Sequence, residues 1–332
     1  MNTWRPWGRQ VALGLFLLVA WCGCQDPFQR PPLVGIILWN QEIQSLEDTL
    51  QGVSEGLREE GYLNGFNVRV QVMDASGDRG RAAQAVKELQ EQGVRLLITL
   101  GTVPTQVARE VTRGTSLPIV YSGLGAPAAI GLNWRAVAEP RFTGTSMEVP
   151  VAEQLEMLGL ALPRLKRLGI LYCTATPVAV AIGTEAEAAA RKMGLSVVKS
   201  LVADERPALL TKALTNLLDQ KMEALFLPTD PVLASPKNLK IIIERMLRAR
   251  VPVMVPFESS VGYGALLSYH ADFSEVGRQA GRQAARILSG VPPYEVPPEI
   301  PKVKRLSLNL KVAHDLDLPL SRQLLSRAHE LY

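Results

Sequence analysis

From residue 33 onward, short apolar runs alternate with amphipathic stretches, the pattern of parallel strands joined by crossover helices. The run at 33–38, Leu-Val-Gly-Ile-Ile-Leu, predicts a buried strand by its length and content. Next, Ile43, Leu46, Leu50, Val53 and Leu57 recur at spacings of three and four, which puts them on one stripe of a helix ending near Gly61. Residues 68–73 alternate like a half-buried strand, 79–92 read as a helix stopped by Gly93, and 96–100 as an apolar strand. A third unit has a helix over 104–111 and a strand over 118–121.

Glycine, proline and alanine then crowd 123–131, and no periodicity returns before Phe142, which predicts a long surface connection that crosses between lobes. The alternation resumes with a helix carrying Val151, Leu155 and Leu158 inward, strands at 168–172 and 195–201, and a helix at 178–192. Helices at 207–218 and 236–248 and strands at 224–227, 253–255 and 265–269 follow. A helix over 272–288 buries Phe273, Val276, Ala280 and Ile287. Pro292, Pro293, Pro297, Pro298 and Pro301 forbid helix and make a stiff extended passage, a second crossing. The expected fold class is α/β, with two Rossmann-like lobes built on parallel sheets. The N-terminal lobe comprises 33–143 and 272–298, and the C-terminal lobe and tail comprise 144–271 and 299–332. Length agrees, because chains of about 300 residues usually split their core in two.

The first residues set the compartment. Arg5 and Arg9 precede an uncharged apolar run from Val11 to Trp21, well short of the roughly 20 apolar residues that a membrane span needs. Residues 1–23 therefore read as a secretory signal peptide. The run ends in Trp21-Cys22-Gly23-Cys24, which resembles a bacterial lipobox, with Cys24 after the small Gly23 as the lipidated residue and 24–32 as a lipid-anchored tether. The expected product is exported and membrane-anchored, facing the periplasm or cell exterior; an ordinary cleaved signal with two incidental cysteines is the alternative. Cys173 is then left without a thiol to pair with, so no disulfide framework is expected.

The formal charge of +4 falls to about +2 without Arg5 and Arg9, and acids and bases are interspersed, which argues against a nucleic-acid partner. His270, His314 and His329 form no metal motif, and there is neither a Gly-x-Ser-x-Gly elbow nor a phosphate-binding glycine loop. Neither a metal nor a cofactor is expected, and a monomer is. Cys173 is the one possible nucleophile, but without a local base it reads as a small buried hydrophobe.

In open parallel sheets ligands collect at the carboxyl ends of strands. Those ends nominate Trp39, Asn40, Gly101, Thr102, Tyr121, Ser122, Gly123, Cys173, Thr174, Thr229, Asp230, Glu258 and Tyr269. Gly101-Thr102 and Ser122-Gly123 open helices or turns whose unpaired amides favour a carboxylate, although Thr102 could equally cap its own helix. Asp230 and Glu258 could meet a ligand ammonium or serve as caps, with Asp230 the favoured cleft residue. Trp39, Tyr121, Phe257 and Tyr269 could sandwich an apolar ligand or pack at the sheet edge, and Trp39, beside the polar Asn40, is the favoured ring.

At these strand ends the chain resembles the ABC-transporter substrate-binding lipoproteins of the tryptophan/tyrosine-transport type. The resemblance rests on Asp74-Ala75-Ser76-Gly77-Asp78, Gly101-Thr102, Pro118-Ile119-Val120-Tyr121-Ser122-Gly123, Thr143-Gly144-Thr145-Ser146, Pro228-Thr229-Asp230 and Arg278-Gln279-Ala280-Gly281. It implies a periplasmic-binding-protein type I clamshell that closes on a small organic solute, possibly an amino acid or related carboxylate, and is read by an ABC permease. Trp39-Asn40-Gln41 and Cys173-Thr174-Ala175-Thr176 depart from the family pattern, which bears on ligand identity more than on fold. A ligand-sensing subunit for a membrane signalling partner is the rival reading, and an exported hydrolase a third.

Overall fold

The computed structural model describes Met1, residues 30–132 and residues 140–332, so the signal segment and Cys24 lie outside the described residues. The first sheet contains β1 (Leu33–Leu38), β2 (Arg69–Asp74), β3 (Leu96–Leu100), β4 (Ile119–Leu124) and β5 (Phe142–Ser146), in the order β2-β1-β3-β4-β5 and parallel throughout. Its helices are α1 (Gln44–Glu59), α2 (Arg79–Glu91) and α3 (Thr102–Val111). The second sheet has the order β12-β11-β10-β9-β8-β6-β7. It is built from β6 (Arg167–Cys173), β7 (Ser196–Val202), β8 (Ala224–Phe226), β9 (Val253–Val255), β10 (Leu267–Ala271), β11 (Lys304–Leu308) and β12 (Ala328–Leu331). Around it lie α4 (Val151–Ala161), α5 (Pro177–Lys192), α6 (Pro207–Asp219), α7 (Pro236–Arg248) and the short α8 (Ser259–Gly262). After α9 (Phe273–Leu288) come two short C-terminal helices, α10 (Leu310–Asp315) and α11 (Arg322–Leu325). β11 runs antiparallel to β10, the one departure from parallel pairing among the described strands of this sheet.

The segment expected as a surface crossing before Phe142 is different in the structure. β4 continues through Gly123 and Leu124, residues 121–126 are buried, and β5 pairs with β4 inside the first sheet. The chain passes to the second sheet only at 147–150. β5 reads Phe-Thr-Gly-Thr-Ser, without the apolar alternation that announces a strand, because its hydroxyls are satisfied from outside the ladder. Thr143 Oγ1 donates to the Val296 carbonyl at 2.6 Å, and Thr145 Oγ1 to Gln283 Oε1 at 3.1 Å. Glu299 bridges to Thr145, so the proline passage runs along the edge of this strand.

The apolar stripe expected on α1 faces the core at Leu46, Leu50, Val53 and Leu57, but not at Ile43. Ile43 is exposed at the N-cap, and the buried positions are Thr49, Gly52, Val53, Gly56 and Leu57. The buried glycines bring α1 close to α9. A Cβ on Gly52 would overlap the Ser274 carbonyl, one on Gly56 the Arg278 carbonyl, one on Gly277 the Thr49 carbonyl and one on Gly281 the Val53 carbonyl. α1 and α9 thus touch backbone to backbone, closer than the usual 8–10 Å between helix axes allows for larger side chains. Beside this seam Arg278 pairs with Glu55, with Glu59 at 3.1 Å and with Glu275 at 2.7 Å, while Arg282 meets Glu59 at 3.2 Å and Glu275 at 2.6 Å. α9 follows β10 of the second sheet but packs on α1, β4 and β5 of the first, so this seam fixes the return crossing. Gln279 and Gln283 on α9 bind the crossing strands: Gln283 Nε2 donates to the Pro297 carbonyl at 2.9 Å, and Gln279 accepts from Lys302 N at 3.0 Å.

Candidate functional site

The carboxyl ends of β1, β3 and β4 meet at the amino end of α3. Gly101 takes φ 101°, a left-handed conformation that favours glycine, and donates its amide to the Ser122 carbonyl at 2.9 Å. That bond ties the α3 N-cap to the end of β4. Thr102 begins α3 and is partly exposed. Trp39, half-buried on the first core, brings its Cβ against the Gly101 backbone. Asn40 accepts the Glu42 amide at 2.9 Å, so its side-chain oxygen shapes the β1–α1 turn.

Ser122 is fully buried, and its Oγ has no hydrogen-bond partner. A buried hydroxyl without a partner costs free energy, which makes it a place where a ligand group would be welcomed. A second orphan lies in the other lobe: Thr176 Oγ1, at the N-cap of α5, is buried without a partner and does not cap its own helix. The two lobes meet a few residues further along each of these segments. A Cβ on Gly125, three residues after Ser122, would lie 3.4 Å from Thr229 Cγ2 and 3.6 Å from Val178 Cγ1, two residues after Thr176. The short 3-10 turn at Pro127–Ile130 also packs on α5.

Glu148, in the 147–150 crossing, adds charge to this seam. Burial, and then the nearby Glu185 carboxylate on α5, push its carboxyl above the ordinary value. It has no ion pair among the described residues. Burial, followed by the Glu148 charge, likewise pushes the Tyr121 phenol up. Tyr121 is itself buried, its ring lying over Gly144, where any Cβ would overlap it. Gly123 has φ 68° and is buried at the same strand end.

The remaining nominated residues have partners within the second lobe. Asp230 is fully buried and accepts three backbone amides: Cys173 N at 2.6 Å, Val232 N at 2.9 Å and Leu233 N at 3.3 Å. It ties the end of β6 to the turn after β8, the structural role that sequence reasoning weighed against ligand contact. Burial raises its carboxyl pKa, and the three amides oppose that shift. Cys173 is fully buried in the second core, and burial pushes its thiol up, so it is a neutral core side chain. Thr174 is exposed and donates to the Val202 carbonyl at 3.3 Å, whereas Thr229 is partly exposed at the seam. Glu258 accepts the Tyr332 hydroxyl at 3.2 Å and lies 3.8 Å from His270 Nε2. Tyr269 is half-buried and packs against Val149, Ala271 and Val276, and burial raises its phenol pKa.

Of the nominated residues, Thr229 lies at the contact between the lobes, and Trp39, Gly101 and Ser122 meet at one end of the first sheet, while Asp230, Cys173 and Glu258 make contacts inside the second lobe. Sequence reasoning placed Thr176 in the strand-end stretch 173–176 but did not single out Glu148. Thr176 carried a signal, since it precedes Pro177 at a helix start, where a hydroxyl residue usually caps and here does not. Among the described residues no group of acidic, histidine or cysteine side chains could hold a metal ion, and no helix is long and apolar enough to cross a membrane.

Comparison with known proteins agrees with this architecture. A tyrosine-binding protein of Clostridioides difficile is 23% identical over 258 residues, covering 77% of this chain and 72% of the relative. An ABC domain from Streptococcus pneumonia, solved in complex with L-Trp, superposes with a TM-score of 0.75 at 23% identity, covering 91% of this chain and 100% of that one. A ligand-free, open substrate-binding protein with adhesive properties from Clostridium difficile gives a TM-score of 0.76 at 21% identity, covering 90% and 98%. The fold is that of the type I periplasmic binding proteins. The family model described as ABC transporter substrate binding protein matches residues 36–332, nearly the whole described chain. The chain belongs to the ABC transporter substrate-binding protein family, whose members bind solutes and are not enzymes.

Proposed function

We propose that this protein captures a small amino-acid-like zwitterion between its lobes and presents it to the permease of an ABC importer. The observation that supports this reading is the contact of the lobes at Gly125, Thr229 and Val178, close in the chain to two buried, unpartnered hydroxyls, Ser122 Oγ in one lobe and Thr176 Oγ1 in the other. A ligand bonding to both would favour the closed arrangement, because only contacts better in one state shift an equilibrium. The amino end of α3 offers unpaired amides to a carboxylate, and Glu148 offers a negative charge to an amine. The tyrosine bound by one relative and the L-Trp held by one structural neighbour support an α-amino acid as the ligand class. Trp39 supplies partly exposed aromatic surface at the end of β1. Export, with Cys24 carrying the lipid anchor, completes the reading, since a receptor tethered to the membrane stays near its permease.

Calorimetric titration with L-tyrosine and L-tryptophan tests the site. Ser122→Ala and Thr176→Ala are each expected to weaken binding about five- to tenfold, the value of one hydrogen bond, with unchanged melting temperature. Glu148→Gln is expected to cost about 2 kcal/mol in binding or more. Because burial holds the Glu148 carboxyl above its ordinary value, wild-type affinity should weaken as pH falls through that raised value, and the Gln variant should lose this dependence. Binding of either amino acid that none of the three substitutions alters would reject the seam as the site.

A further inference from the structure

The opposite end of the first lobe carries features that ligand capture does not use. A groove of about 950 Å³ lies at the amino ends of the strands, where Pro31, Pro32 and Leu33 lead into β1, Arg69 opens β2, Arg95 precedes β3 and Pro118 precedes β4. Its lining includes Arg30, Arg69 and Arg95 and no carboxylate. All three arginines are exposed, and none has an ion pair among the described residues. Arg69 only donates its Nε to the Pro31 carbonyl, at 3.3 Å. Glu60 and Glu91 are exposed at the ends of α1 and α2 on the same side of the lobe, so the positive charge is local to the groove.

Beside Arg69 the loop between α1 and β2 holds Phe66 at 77% and Leu63 at 46% exposure. This loop is fixed. Asn67 accepts the Leu63 amide at 2.7 Å and donates to the Gly61 carbonyl at 2.8 Å, Asn64 accepts the Val70 amide at 2.9 Å, and Gly65 donates to the Val68 carbonyl at 2.8 Å. The backbone therefore presents an aromatic ring outward on a braced turn. An exposed aromatic beside unpaired arginines is the composition of surfaces that seat at a lipid interface, with the ring at headgroup level and the cations on phosphates.

Chain length supplies the partner. If Cys24 carries the lipid, as the proposed function holds, the six residues to Arg30 span at most about 21 Å fully extended. Arg30 lines the groove, so this pole of the lobe stays within that distance of the bilayer. We propose that the groove and the Phe66 loop are a docking surface for anionic lipid headgroups, which holds this pole of the first lobe against the membrane between deliveries to the permease. The proposal rests on the anchoring reading for its geometry, but its charge chemistry is testable without the anchor.

Every described strand and helix begins at Leu33 or later, so a chain starting at Gln25 keeps the whole described fold without the lipid. Its co-sedimentation with phosphatidylglycerol/phosphatidylcholine vesicles, and with phosphatidylcholine alone, reads the surface directly. Binding to the anionic vesicles only, weakened by salt, is expected. Arg69→Glu with Arg95→Glu should weaken it at least about twentyfold, since each cation near such a surface contributes about fivefold. Phe66→Ser should weaken it without changing the salt dependence, and neither variant should alter amino-acid binding. Palmitate incorporation into the full chain and its Cys24→Ser variant reports on the anchor separately. No binding of the wild-type chain to anionic vesicles at low salt would overturn the docking surface even if Cys24 is lipidated. No palmitate in the full chain, or undiminished label in Cys24→Ser, with vesicle binding intact would overturn only the anchor.

Discussion

Replacing Gly277 by Leu is expected to destabilise the protein by about 3 kcal/mol, the upper range for forcing bulk into a packed interface, and to lower its melting temperature by roughly 6–12 °C. The reason is geometric: the new Cβ would overlap the Thr49 carbonyl, a backbone atom that cannot rotate away as a side chain could. α1 and α9 would have to separate, breaking the Arg278 pairs with Glu55 and Glu59 and the Arg282 pair with Glu59 as they part. Leucine has much better helix propensity than glycine, which would stabilise α9 by about 0.8 kcal/mol if nothing stood in the way. Gly80→Ala provides the contrast. That glycine is exposed in the first turn of α2 and faces only the Asp78 side chain, so the substitution should be neutral or slightly stabilising. Thermal melts of both variants check the account, and equal melting temperatures for Gly277→Leu and wild type would show that the seam is not close-packed.

Asp230→Ala is expected to cost about 3 kcal/mol of stability, because three buried amides, those of Cys173, Val232 and Leu233, lose their acceptor together. Asp230→Asn should cost less, since one amide oxygen can still accept. The pH dependence carries a sign. The folded-state pKa of Asp230 is raised, so this carboxyl contributes stability that is full below its unfolded value and is lost as pH rises through the folded one. The stability deficit of Asp230→Asn relative to wild type should therefore be largest in acid and shrink toward neutral pH. Chemical denaturation at several pH values measures it. A deficit that grows toward neutral pH would show that the amides outweigh burial.

Much of the architecture was legible because parallel strands buried under helices appear as uninterrupted apolar runs: β1, β3 and β9 fall where their Leu, Ile and Val content put them. β5 was hidden because Thr143 and Thr145 satisfy their hydroxyls on the Val296 carbonyl and on Gln283, partners far away in sequence. β11 and β12 lie beyond the prolines, in a tail where charged residues such as Lys304 and Arg305 mask the pattern. The contact of α1 with α9 was hidden because glycine carries no hydrophobic signal, yet Gly52 and Gly56 meet the α9 backbone. For the site, a carboxylate at a strand end has the same sequence signature whether it meets a ligand or backbone amides. Asp230 and Glu148 differ only in what surrounds them. The first is saturated by three amides, and the second is half-buried beside another carboxylate.

The central claim, capture of a ligand between two lobes, is tested most directly by small-angle X-ray scattering with L-tyrosine or L-tryptophan, whichever titrates, at calorimetrically verified saturation. Contacts made from both lobes predict a smaller radius of gyration in the bound protein, and predict that Thr176→Ala reduces the contraction at subsaturating ligand. A scattering profile unchanged at full occupancy would contradict capture by closure.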